Sequence, residues 1–105
     1  MKQPSNNMLW ASIAQQAKNF GFKDLSTRDI FALQKKVGRG YAYNIYLEQS
    51  KIGGGLRDIV VFELYHNRRK EDTYRISGWL RDMNTFFLTD DGASLLRQVS
   101  TPTGF

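Results

Sequence analysis

The stretch Tyr41-Ala42-Tyr43-Asn44-Ile45-Tyr46-Leu47-Glu48-Gln49-Ser50-Lys51-Ile52 constrains the fold more than any other, because it supports two conformations that exclude each other. Coiled, it would bury Ala42, Ile45, Gln49 and Ile52, set Tyr41 and Tyr46 at the edges and leave Tyr43, Asn44, Leu47, Ser50 and Lys51 outside. Extended, it would put Tyr41, Tyr43, Ile45 and Leu47 on one side. Its Tyr and Ile content favours the strand. The Gly38-Arg39-Gly40 connection before it, read as the corner between two helices, favours the helix.

The flanks speak more plainly. From Asn7, the residues Leu9, Trp10, Ile13, Ala14, Ala17 and Phe20 recur three and four apart, which predicts a helix capped by Asn6 or Asn7 and ended by Gly21. Leu25-Ser26-Thr27-Arg28-Asp29-Ile30 has the order of a capping box, with Leu25 and Ile30 at the positions of a hydrophobic staple. A second helix is therefore expected, burying Ile30, Phe31, Leu33 and Val37 and stopping at Gly38. After the flexible Gly53-Gly54-Gly55, the branched and aromatic run Asp58 to His66 and the alternating run Thr73 to Leu80 predict a hairpin around the basic turn Asn67-Arg68-Arg69-Lys70-Glu71-Asp72. Thr85 to Leu88 is expected as a short strand. A last helix should begin at Thr89, with Asp90 and Asp91 in its first turn, Ala93, Leu95, Leu96 and Val99 along it and Arg97 near its end.

A chain of 105 residues, 41% hydrophobic and 13% aromatic, suits one domain, with residues 1–6 and 101–105 expected as loose ends. No run is apolar for long enough to span a bilayer, and the first residues lack the order of a secretory signal, so a soluble, cytoplasmic protein is expected, with no membrane partner. There is no cysteine and a single histidine, His66, which leaves no thiolate nucleophile and no Cys or multi-His metal site. No cofactor is expected, and an enzyme is the minority reading.

The net charge is +5, and its distribution matters more than its size. Residues 26–57 carry Arg28, Lys35, Lys36, Arg39, Lys51 and Arg57 against Asp29 and Glu48, whereas residues 82–105 carry Arg97 against Asp82, Asp90 and Asp91. Positive charge concentrated in the middle of the chain suits a polyanion, most simply nucleic acid.

Helix, helix, tight turn, helix, then a hairpin with a basic tip is the order of a winged helix-turn-helix domain. The chain resembles that superfamily over about residues 8–80, through Ser26-Thr27-Arg28-Asp29-Ile30, Arg39-Gly40-Tyr41-Ala42-Tyr43 and the tip Arg68-Arg69-Lys70. The run Leu88-Thr89-Asp90-Asp91-Gly92 also looks like the entry to the helix after the wing. The resemblance implies an α+β fold with three helices, a β-hairpin wing and a C-terminal helix, belonging to a small regulator of a bacterium, phage or plasmid that binds double-stranded DNA. The helix at 41–52 would enter the major groove with Tyr43, Asn44 and Ser50 toward base edges. Arg28, Lys35, Lys36, Arg39 and Lys51 would meet phosphates, and Arg68, Arg69 and Lys70 the backbone or minor groove. Homodimerisation through Leu95, Leu96 and Val99 of the last helix goes with this reading. The alternative takes residues 41–49 as a strand, giving two helices and an antiparallel β-meander, a fold suited to a protein-binding adaptor or a phage-type inhibitor of a host complex; RNA binding on a tyrosine-bearing sheet would share that fold.

Overall fold

A computed structural model describes residues 6–28, 30–52, 55–68 and 74–98. In chain order these form α1 (Asn6–Asn19), β1 (Lys23–Asp24), β2 (Ala32–Gly38), β3 (Tyr41–Ile52), β4 (Gly55–His66), β5 (Tyr74–Trp79), α2 (Leu80–Leu88) and α3 (Asp90–Gln98). The five strands make one antiparallel meander in the order β1-β2-β3-β4-β5.

The first helix forms as its spacing predicts. Leu9, Trp10, Ile13, Ala14 and Ala17 are buried along one side. Gly21, at φ 92°, turns the chain out of the helix, its N–H bonding to the carbonyl of Lys18 while that of Phe22 reaches back to Ala17. This is the left-handed helix exit that glycine permits without steric cost.

The second and third helices of the expected order are strands. Ser26 does not cap a helix: its hydroxyl accepts from the N–H of Ala32 and donates to the carbonyl of Ala32, while its own N–H bonds to Asp24 Oδ1. The same cap-forming chemistry thus closes the loop between β1 and β2. Leu33 then faces Ile45 across the ladder, and a non-local contact between two buried side chains overrides the local helical spacing. Gly38, Arg39 and Gly40 have φ of 94°, 55° and 82°, so the connection is a two-residue hairpin turn, Arg39-Gly40, whose positive φ values match strand twist, with an irregularity in register between Lys36 and Gly38. With that turn in place, Tyr41–Ile52 extends and pairs with β4 along its whole length, from Tyr41 opposite His66 to Ile52 opposite Gly55. The architecture is α+β, and the segment that would have entered a major groove is a central strand.

Thr85–Leu88, expected as a strand, lies in α2, where Leu80, Met83 and Phe87 share the buried side. Its apolar residues follow a helical period that only becomes visible when Leu80 is counted with them, and β5 ends one residue earlier, at Trp79. The last helix starts where expected, at Asp90 directly after Thr89. Thr89 Oγ1 accepts from the N–H of Gly92, and Asp90 and Asp91 occupy the first turn.

All three helices contribute to one core against a single face of the sheet. Strand alternation places Leu33, Lys35, Tyr43, Ile45, Leu47, Val60, Phe62 and Ile76 on that face. Leu33, Ile45, Val60 and Phe62 are buried there with Leu9, Trp10, Ile13, Met83, Phe87 and Leu96, while Tyr43, Leu47 and Ile76 pack around them. Of the expected dimer surface of Leu95, Leu96 and Val99, Leu96 is fully buried in this core, Leu95 packs against it, and Val99 lies outside the described residues. No helix among the described residues is long and apolar enough to cross a membrane.

Candidate interaction face

The other face of the sheet has no described helix against it. The register assembles it in four cross-strand rows: Lys36, Ala42 and Tyr65; Gln34, Asn44, Glu63 and Arg75; Ala32, Tyr46, Val61 and Ser77; Glu48, Ile59 and Trp79. A bare face of apolar side chains would be insoluble, and a wholly polar one would bind nothing strongly. This one is mixed. Tyr65 and Trp79 remain 40% and 41% exposed, whereas Val61, at the centre, is fully buried.

Its polar groups are paired with one another. Gln34 Nε2 donates to Asn44 Oδ1 at 2.9 Å, and Asn44 Nδ2 donates to Glu63 Oε1 at 3.3 Å, tying β2, β3 and β4 side chain to side chain. Arg75 on β5 bonds Glu48 on β3 at 3.3 Å, reaching diagonally across the row of Tyr46 and Val61. Tyr46 lies among these charges. Burial pushes its phenol above the ordinary tyrosine range, Glu63 adds to the rise, Arg75 opposes it and Glu48 adds a little more. Within these four rows Lys36 and Arg75 balance Glu48 and Glu63.

A second grouping lies at one end of the sheet, where the β2–β3 turn and the chain after β4 meet. The backbone N–H of Arg68 donates to His66 Nδ1 at 3.0 Å, which leaves Nε2 to carry the proton of the neutral ring and donate to the carbonyl of Arg39, also at 3.0 Å. Asn67 N–H bonds the carbonyl of Gly40, and the Tyr41 ring meets His66 edge-on with centroids 4.4 Å apart. His66 is thus a clip between two turns, and it holds Arg39 and Arg68 at the same end of the sheet as Lys36.

The residues expected to contact DNA are dispersed by this fold. Lys36, Arg39 and Arg68 come together as just described. Lys35 is on the covered face, where its Nζ donates to the carbonyl of Phe20 at 2.8 Å beyond the end of α1, and burial lowers its pKa. Tyr43 also faces the core, its ring 5.7 Å from that of Phe62. Asn44 lies on the open face inside the amide row. Arg28 is exposed in the β1–β2 loop, at the opposite end of β2 from Arg39. Ser50 and Lys51 sit in the part of β3 that pairs only with β4, opposite Arg57 and Leu56. Arg69 and Lys70 lie outside the described residues. Sequence reasoning missed Tyr65, Arg75 and Trp79 as site residues. Their signal was the alternation of β4 and β5, which shows that each strand has two faces, though not which one the helices would leave bare.

Among the described residues no three His, Asp or Glu side chains gather as metal ligands would. No family model, curated protein or solved structure matches the chain.

Proposed function

We propose that this chain is a protein-binding module of the adaptor or inhibitor kind, and that the helix-free sheet face is its docking surface. One observation carries the reading: exposed aromatics and a paired, charge-balanced polar framework stand together on a face that the helices leave open. Tyr, Trp and Arg are the side chains that dominate binding energy at protein interfaces. A face already tied by Gln34, Asn44, Glu63 and the Arg75–Glu48 pair presents them with little ordering left to do on binding. The charge balance within the four described rows favours a protein over a nucleic acid there, since phosphate contact needs an excess of Lys and Arg. The test is photo-crosslinking in the native cell from a reactive side chain at Tyr65 or Lys36, both away from the β5 edge, with Leu88 on a helix as the control. A protein adduct specific to the two sheet positions is expected; adducts equally frequent from Leu88, or nucleic acid in place of protein, would contradict the proposal.

A second reading keeps the polyanion. Lys36, Arg39 and Arg68 form a basic end with no described acid in the turns they occupy, which favours sequence-tolerant phosphate contact, with DNA regulation then carried by a fold other than a winged helix. Under it, duplex binding falls steeply with added salt and the paired change Arg39→Ala and Arg68→Ala weakens all sequences alike. Binding that is indifferent to salt would remove it.

A further inference from the structure

We propose that β5 pairs antiparallel with β5 of a second copy of this chain, about a two-fold axis at Ser77. The inference does not depend on what the open face binds. The two edges of the sheet are unlike. One ends in the two-residue β1, whose Lys23 and Asp24 are both exposed and charged, with Asp24 ion-paired to Lys18 at 3.6 Å; β2 beside it has an irregular register near Gly38. Short, charged and irregular edges discourage further pairing. The other edge is β5, six residues in unbroken register with β4 from Tyr74 opposite Leu64 to Trp79 opposite Ile59. It contains no proline, no lysine and no bulge, and no described strand lies along its outer side. Alternate backbone N–H and C=O groups of an edge strand point away from the sheet, and the group that satisfies them is another extended strand.

The side chains of β5 select the strand itself as that partner. With Ser77 on the axis, Arg75 falls opposite Trp79 of the second copy on the open face, twice by symmetry, placing a guanidinium against an indole. On the helix-bearing face, Ile76 falls opposite Gly78 of the second copy, a branched side chain beside a position with none. An axis at Ile76 would instead set Arg75 against Ser77 and leave Trp79 without a counterpart in β5. An axis midway between two residues would set opposed side chains on opposite faces of the sheet, a register that no antiparallel ladder has. The axis at Ser77 keeps both helical layers on one side and merges the two open faces across ten strands. Arg75 can keep Glu48 while stacking, because the planar guanidinium presents donors at its rim and a free flat surface.

Because the natural chain has no cysteine, the register can be read by single introduced thiols. Opposed residues of an antiparallel pair have Cα separations within the range a disulfide spans. Sedimentation at about 100 µM should show a dimer of micromolar dissociation constant. On oxidation, Ser77→Cys should give a covalent dimer and Arg75→Cys alone should not, whereas a mixture of Arg75→Cys with Trp79→Cys should. Ser77→Pro, which removes an edge N–H, should weaken the dimer by roughly tenfold or more with an unchanged far-UV spectrum. A chain that stays monomeric, a dimer undisturbed by Ser77→Pro, or cross-linking as ready from Arg75→Cys alone would each overturn the proposal; if Ser77→Pro fails to fold, the thiol pattern decides.

Discussion

Arg75 and Glu48 meet at 3.3 Å although they are 27 positions apart in sequence and on strands that are not neighbours. The pair crosses β4 on the open face, over the row that holds Val61. Its worth is in position rather than stability, because both side chains are about half exposed, and exposed ion pairs contribute little. Glu48→Gln should therefore leave the thermal midpoint within a few degrees, a change of roughly 0.5 kcal/mol or less. The same substitution should weaken partner binding, as it frees Arg75 to move. A large loss of stability would mean that the pair is structural.

The amide row should behave differently. Asn44 donates to Glu63 and accepts from Gln34 in partly buried surroundings, so Asn44→Ala leaves two polar partners unsatisfied at once. The expected cost is about 1–2 kcal/mol in urea denaturation, with the slope of the transition unchanged. Asn44→Asp should cost more, because a carboxylate would face Glu63 and lose its donor.

Gly92 is the residue on which the last helix depends. A Cβ there would stand 2.0 Å from the backbone carbonyl oxygen of Phe86 and 2.6 Å from Cα of Phe87, both main-chain atoms that cannot swing aside. Gly92→Ala should destabilise by about 2 kcal/mol or more through displacement of α3 and of the buried Leu96, measured as a fall in the denaturation midpoint. Gly38→Ala gives a control without steric conflict, since nothing lies within 4 Å of its Cβ position and only its positive φ is strained.

Alkaline stability follows from two phenols. Burial raises the pKa of Tyr43, and burial with Glu63 raises that of Tyr46. In the unfolded chain both ionise near 10. The stability they contribute is therefore complete below about pH 10 and is lost as the pH rises through their folded values. Tyr43→Phe and Tyr46→Phe should each flatten this alkaline decline in midpoint and remove a late-titrating component of the phenolate absorbance. Lys35, whose pKa burial lowers, acts in the opposite sense: the unfolded state then holds the extra proton, and stability gains as pH rises between the two values.

What the residues disclosed, and what they concealed, follows from where each signal acts. The first helix, the β4–β5 hairpin and the last helix were legible because their determinants are local: helical spacing up to Gly21, branched and aromatic residues between Asp58 and His66, and Thr89 with its two acids and Gly92. The segment from Ser26 to Gly38 carries a helical signal, apolar spacing and a capping pattern, and that from Tyr41 to Ile52 supports helix and strand alike. Their actual state is set by contacts that spacing does not encode, Leu33 on Ile45 on Phe62. The paired strand reading of Tyr41, Tyr43, Ile45 and Leu47 on one side was correct in its alternation, and it is the one that places Asn44, Tyr46 and Glu48 on the open face. The basic residues of the middle third were visible as a charge excess, but a meander sends them to separate ends and faces, so the excess in sequence does not become one patch.

The openness of the sheet face that carries Trp79 underlies the docking proposal, and the two indoles of the chain report on it directly. Trp10 is buried in the core and Trp79 is 41% exposed on the face. At protein concentrations low enough to keep the chain monomeric, acrylamide should quench one emission component readily and the other poorly, and Trp79→Phe should abolish the quenchable component. A quenchable component that survives Trp79→Phe, or a Trp79 emission as shielded as that of Trp10, would show the face to be covered and would contradict the account.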